Sequence, residues 1–77
     1  MELIKGRVYR AKKPANCNGY YNDRQIVWTG TSSVQYDGPA VRNGQRYPTV
    51  SREKFESWAG EDVTEKLPPG DWQRFGV

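Results

Sequence analysis

A chain of 77 residues with net charge +3, one cysteine and no histidine leaves room for one small domain. It excludes an internal disulfide, a standard zinc site and the usual neutral-pH catalytic base. Hydrophobic residues make up 35% of it but aromatics 13%, so a few large rings must build most of the core. A chain of this size buries only about 60% of its unfolded surface, which keeps the stability margin narrow.

In chain order, Leu3–Ala11 is predicted as a first strand, with Ile4 and Val8 on one face and Arg7 and Tyr9 on the other. Residues 12–22 hold Pro14, Gly19 and three asparagines, and read as a long loop. Arg24–Trp28 is a second strand with Ile26 and Trp28 sharing a face. Ser33–Asp37 is a third, with Val34 and Tyr36 together. The rings of Trp28 and Trp58 are assigned to the core.

Asp37-Gly38-Pro39 combines turn formers. Asn43-Gly44 then predicts a type I′ hairpin with Val41-Arg42 and Gln45-Arg46-Tyr47 as its arms. Pro48 ends that pairing because it brings no N–H to a sheet. Ser51 is an N-cap for a helix over about residues 52–59, with Val50 and Phe55 at staple spacing and Gly60 placed to close it. Phe55, Trp58 and Ala59 form its apolar side; at two turns it must dock on a sheet. Glu61–Leu67 is either a last strand through Val63 or extended chain. Pro68-Pro69-Gly70 stops regular structure, and Asp71–Phe75 reads as one N-capped helical turn.

These elements predict a mainly β domain of four or five short strands with one helix, at residues 1–67. Residues 68–77 form a tail placed to pack back on it. Two architectures suit the pattern: an SH3-like, partly open barrel, or a small bent antiparallel sheet with the helix across one face.

The assembled segment Val34, Tyr36, Asp37-Gly38-Pro39, Val41, Gly44, Tyr47-Pro48, Val50-Ser51, Glu53, Phe55 and Trp58-Ala59 resembles small uncharacterised proteins encoded by bacteriophages and prophages. The opening KGRVY and the NDRQIVW segment are similar in style. The resemblance implies a phage or prophage accessory protein with an SH3-like barrel, without an activity or site residue to transfer. If so, the host cytoplasm is its compartment.

No catalytic, cofactor or metal motif is present, so a non-enzymatic binding protein is the expectation. Cys17 lacks an imidazole to activate it, and the carboxylates from Glu53 to Glu65 match no calcium loop. No segment is apolar over the length of a bilayer span or signal peptide, so a cytoplasmic protein without membrane contact is expected. Charge is uneven: residues 1–13 carry +4, 14–50 carry +1 and 51–77 carry −2.

Two partner classes follow. Lys5, Arg7, Arg10, Lys12 and Lys13, with Tyr20 and Tyr21 to stack on bases, make a candidate nucleic-acid surface, although Arg10 falls on the opposite strand face from Lys5 and Arg7. A protein partner is the favoured reading, because the charge excess is small. Trp28, Tyr36, Tyr47 and Trp72 are candidate groove residues for it, and Trp72 beyond the proline pair is the candidate anchor. Oligomeric state has no signature here.

Overall fold

The structure, a computed structural model, describes residues 2–76. Its main element is a five-stranded antiparallel sheet in the order β6-β5-β4-β1-β7, formed by β1 (Val8–Ala11), β4 (Arg24–Thr29), β5 (Ser33–Asp37), β6 (Thr49–Ser51) and β7 (Ala59–Asp62). A separate two-stranded ribbon joins β2 (Asn16–Cys17) to β3 (Tyr20–Tyr21). One helix, α1 (Arg52–Trp58), links β6 to β7. The sheet stays open, with β6 and β7 as its two edges, so the fold is a small mainly β globule and not a closed barrel.

Local chemistry explains α1. The Ser51 hydroxyl accepts the Lys54 amide at 3.1 Å, satisfying a donor that the first turn leaves over. Val50 and Phe55 both pack in the core beside it. The C-terminus departs from expectation. Ala59 is already extended and begins β7, so Gly60 does not close the helix in a left-handed conformation. Gly60 instead lies where β7 meets β1: a methyl there would come within 3.0 Å of the Lys12 Cα. The strand expected across Glu61–Leu67 therefore starts earlier and ends before Val63, and Thr64–Lys66 is a 3-10 turn.

The core lies between the sheet and α1. Leu3, Tyr9, Ile26, Val34, Phe55 and Ala59 form one buried cluster, with Tyr36, Val50 and Trp58 packed against it. Tyr9 meets Phe55 edge to face at 5.9 Å, and its hydroxyl donates to the Glu2 carbonyl and accepts the Ile4 amide. All four residues of β1 are buried, since its other side is covered too. There the Val8 amide donates to Thr64 Oγ1, and the Val63 amide donates back to the Val8 carbonyl.

Four further expectations are corrected. The first strand begins at Val8, not Leu3, because the chain turns through Gly6 and the Arg7 amide closes onto the Ile4 carbonyl. That turn sends Leu3 into the core and leaves Ile4 48% exposed. Second, Trp28 is not a core residue. Ile26 pairs with Tyr36 and Trp28 with Gln35, so Val27 is an extra residue on β4. This bulge reverses the alternation after Ile26 and turns Trp28 out to 50% exposure.

The third correction concerns hairpins. Asn43-Gly44 builds none: Gly44 alone has positive φ, and the pair sits in a turn closed by the Gln45 amide on the Arg42 carbonyl. Its intended arms are mostly exposed and polar, so nothing rewards their pairing. The two-residue hairpin turn is Asn18-Gly19, inside the stretch expected to be loop. Both residues have positive φ, 52° and 92°, and Cys17 pairs with Tyr20 across them, as a type I′ turn requires.

Lastly, Asp71–Phe75 is not a helical turn. The Tyr21 amide donates to the Gln73 carbonyl and the Phe75 amide to the Gly19 carbonyl, with Arg74 bridged to Tyr20. Adding the tail as a third strand to the ribbon satisfies backbone groups that an isolated turn would leave to water.

Candidate functional site

The basic residues singled out along the N-terminal strand have different fates. Lys5, Lys12 and Lys13 are exposed. Arg7 donates from Nε to Asp62 at 2.8 Å and from Nη2 to both oxygens of Glu65. Those hydrogen bonds raise its pKa, and its charge is neutralised by the acidic end of β7. Arg10 is 6% exposed and holds Asp23 with two hydrogen bonds. Its guanidinium lies 3.6 Å from the centre of the Tyr21 ring and donates to Gln73 Oε1. Tyr21 is thereby occupied between Arg10 and Phe75, whose ring centre is 5.0 Å away.

Tyr20 and Trp72 are half-buried and line one cleft between the ribbon, the tail and the 38–43 loop. The eight residues thus do not form one patch: the fold spends Arg7, Arg10 and Tyr21 on its own cohesion.

A different constellation stands out on the other side of that loop. Arg24 pairs with Tyr9 and lies two residues before Ile26, so it points to the core side of the sheet. Its Cζ lies 4.1 Å from the Trp58 ring centre and 4.4 Å from that of Tyr36. Desolvation lowers its pKa, with Tyr36 acting the other way. Among the described residues, no carboxylate or carbonyl accepts a hydrogen bond from this guanidinium. Stacking on rings satisfies its flat faces and leaves its N–H edge donors unengaged.

Arg24 lines a cavity of about 250 Å³ beneath the loop, together with Tyr36, Val41, Gln45, Arg46 and Pro48. Asp23 also reaches the wall, with both of its oxygens already taken by Arg10. The loop is built locally. Asp37 Oδ1 accepts the Gly38 amide at 2.8 Å, and the Val41 amide closes a turn onto the Gly38 carbonyl. Gly38 is required by contact, since a Cβ there would stand 2.5 Å from the Asp23 carbonyl oxygen.

The sheet's outer face carries a second feature. Trp28, Gln35 and Thr49 are cross-strand partners on β4, β5 and β6, and direct partners share a face. The Trp28 ring rests on Gly30, and Gln35 Nε2 donates to the carbonyl of exposed Tyr47. Arg52 fastens the adjoining turn through Thr29 Oγ1 and the Gly30 carbonyl. Residues 38–52 carry Arg42, Arg46 and Arg52 and no carboxylate.

Among the described residues no cluster of three metal-ligating side chains occurs, and no helix is long and apolar enough to cross a membrane. No protein-family model matches the chain, and neither does any curated protein or solved structure.

Proposed function

We propose that this chain is a non-enzymatic binding module, in the setting of a phage or prophage accessory protein, that docks on an acidic segment of a partner protein. The observation that carries this reading is Trp28, half exposed on an open sheet face beside a loop with arginines and no acids. Trp, Tyr and Arg are the residue types that dominate binding energy at protein interfaces, and here Trp28, Tyr47, Arg42 and Arg46 are all exposed. The positive loop complements an acidic partner and steers its approach.

Nucleic acid is the second reading, favoured by the same exposed aromatics and arginines. It is the weaker of the two because Arg7, Arg10 and Arg52 are engaged within the protein. A phosphate chain needs a row of free cations.

The test is affinity capture from host lysate after nuclease treatment, comparing the wild-type chain with Trp28→Ala, followed by titration of the recovered partner. The expected result is a nuclease-resistant partner lost with Trp28→Ala while the melting temperature holds. Equal binding by the variant, or capture that vanishes with nuclease, overturns the protein reading. Steeply salt-dependent binding of a single-stranded oligonucleotide would put the second reading in its place.

A further inference from the structure

We infer that the Arg24 cavity is a receptor for one carboxylate of a bound polypeptide, offered by a C-terminal residue or by an acidic side chain. The inference rests on the protein-partner reading above and names the group that the partner presents.

The argument begins with what the other arginines do. Arg7 and Arg10 have carboxylates, and Arg52 has a hydroxyl and a carbonyl. Arg24, more enclosed than Arg7, has only the faces of Tyr36 and Trp58. Its N–H donors have no acceptor among the described residues and are not buried, so an oxyanion entering from solvent can reach them. Here the rings hold the head in place beside a cavity, so its planar fork is prepositioned for a bidentate oxyanion.

Size and the apolar part of the wall select the oxyanion. At about 250 Å³ the cavity falls below the range usual for whole small-molecule ligands, and suits one side chain or one terminal residue. Its wall carries the cationic side chains of Arg24 and Arg46, and the Asp23 carboxylate is already compensated by Arg10, so the cavity favours an anion. Inorganic phosphate has no hydrocarbon body to cover an apolar wall, which favours a carboxylate carried on a short side chain or terminal residue. Tyr36, Val41 and Pro48 supply the apolar wall that a carboxylate with a short hydrocarbon body would cover.

The experiment is an NMR titration of the full chain, observing the Arg24 Nε–H and the amides of Gly38, Val41 and Gln45. Four probes are used: N-acetyl-leucine, its neutral methylamide, an N-acetyl-glutamate with its α-carboxyl amidated, and inorganic phosphate. Both carboxylate probes, or one of them, should shift these resonances saturably, while the methylamide and phosphate leave them in place. The stronger of the two carboxylates identifies the source as chain terminus or side chain.

Arg24→Gln should weaken binding by about tenfold or more, and exposed Arg46→Gln, which leaves the ring stack intact, by a few-fold. Absence of any carboxylate shift, or an equal shift with the methylamide or phosphate, overturns the inference. Lys54→Gln, at an exposed α1 position outside the cavity wall, should leave the carboxylate titration unchanged. The probes are small molecules and no partner protein is present, so failure of the cavity is read separately from failure of the protein-partner reading.

Discussion

Arg10 grips both carboxylate oxygens of Asp23, at 2.9 Å each, with the two side chains almost wholly out of water. Residues 13 apart in sequence thereby fix the start of β4 against the end of β1. Tyr21 and Gln73 complete the shell around the guanidinium, so the ribbon and the tail are tied to the same ion pair. Every buried side-chain polar atom among the described residues has a partner, which is how such a pair is tolerated in so small a protein.

Removing one partner should be far worse than removing both. Asp23→Ala leaves a buried guanidinium without its carboxylate, and the expected cost is about 3–5 kcal/mol. That approaches the whole stability of a domain this size, about 5 kcal/mol at the low end of the usual range. Urea unfolding of Asp23→Ala, Arg10→Met and the double variant should give a strongly non-additive cycle, the double losing much less than the sum. Additive losses would show that the two charges act independently.

The two Asn-Gly pairs make a sharper comparison. Asn18-Gly19 has positive φ at both residues, whereas at Asn43-Gly44 only the glycine does. Gly19→Ala should cost about 1–2 kcal/mol, because a left-handed conformation is strained for a residue with a Cβ. Asn18→Ala should cost a similar amount through Asn18 itself, while Asn43→Ala should fall within about 0.5 kcal/mol of wild type. Thermal melts of the three variants check the order.

Those pairs also mark where the sequence stops being legible. The helix start was readable because Ser51, Val50 and Phe55 act within one turn of each other. The two turns are alike at dipeptide level, and what separates them lies elsewhere: residues 73–75 pair with one ribbon, and among the described residues no strand pairs with the other arms. Period-two alternation placed Val34 and Tyr36 correctly on β5, then failed on β4 because no residue type announces the Val27 bulge. For the site, Arg24 is not among the candidates that the sequence singles out; its one signal there is a charge two places from Ile26 on a core-facing strand. Its ring partners, and the pairings that occupy Arg7 and Arg10, depend on contacts up to 58 residues away.

Gly38 tests how the cavity loop is held. Adding a methyl there would press on the Asp23 backbone oxygen at 2.5 Å, and a backbone atom cannot swing aside as a side chain can. Gly38→Ala should therefore destabilise by about 1–3 kcal/mol, as overpacked sites do. It should also move the amides of Asp23 and Arg24, read by NMR. A variant with wild-type stability and spectrum would mean that loop and strand separate readily.

Acid should release the clasp between β1 and the 3-10 turn. Burial works to raise the Asp62 pKa, but hydrogen bonds from Arg7 and from the Thr64 hydroxyl and amide outweigh it and hold the carboxyl below its ordinary value. A carboxyl depressed in the folded state stabilises the fold fully above its unfolded pKa, about 3.9. That contribution fades as pH falls through the lower, folded value. Glu65 faces the same guanidinium and Lys66 pairs with Glu61 nearby, so Asp62 must be isolated by substitution. Melting temperatures of wild type and Asp62→Asn should differ at neutral pH and converge in acid, as the pH falls through the folded value. The gap should be small, because both partners remain partly wet, and added salt should narrow it. A gap that widens as the pH falls would reverse the sign of the linkage and show that Asp62 binds its proton more readily in the folded protein than in the unfolded chain.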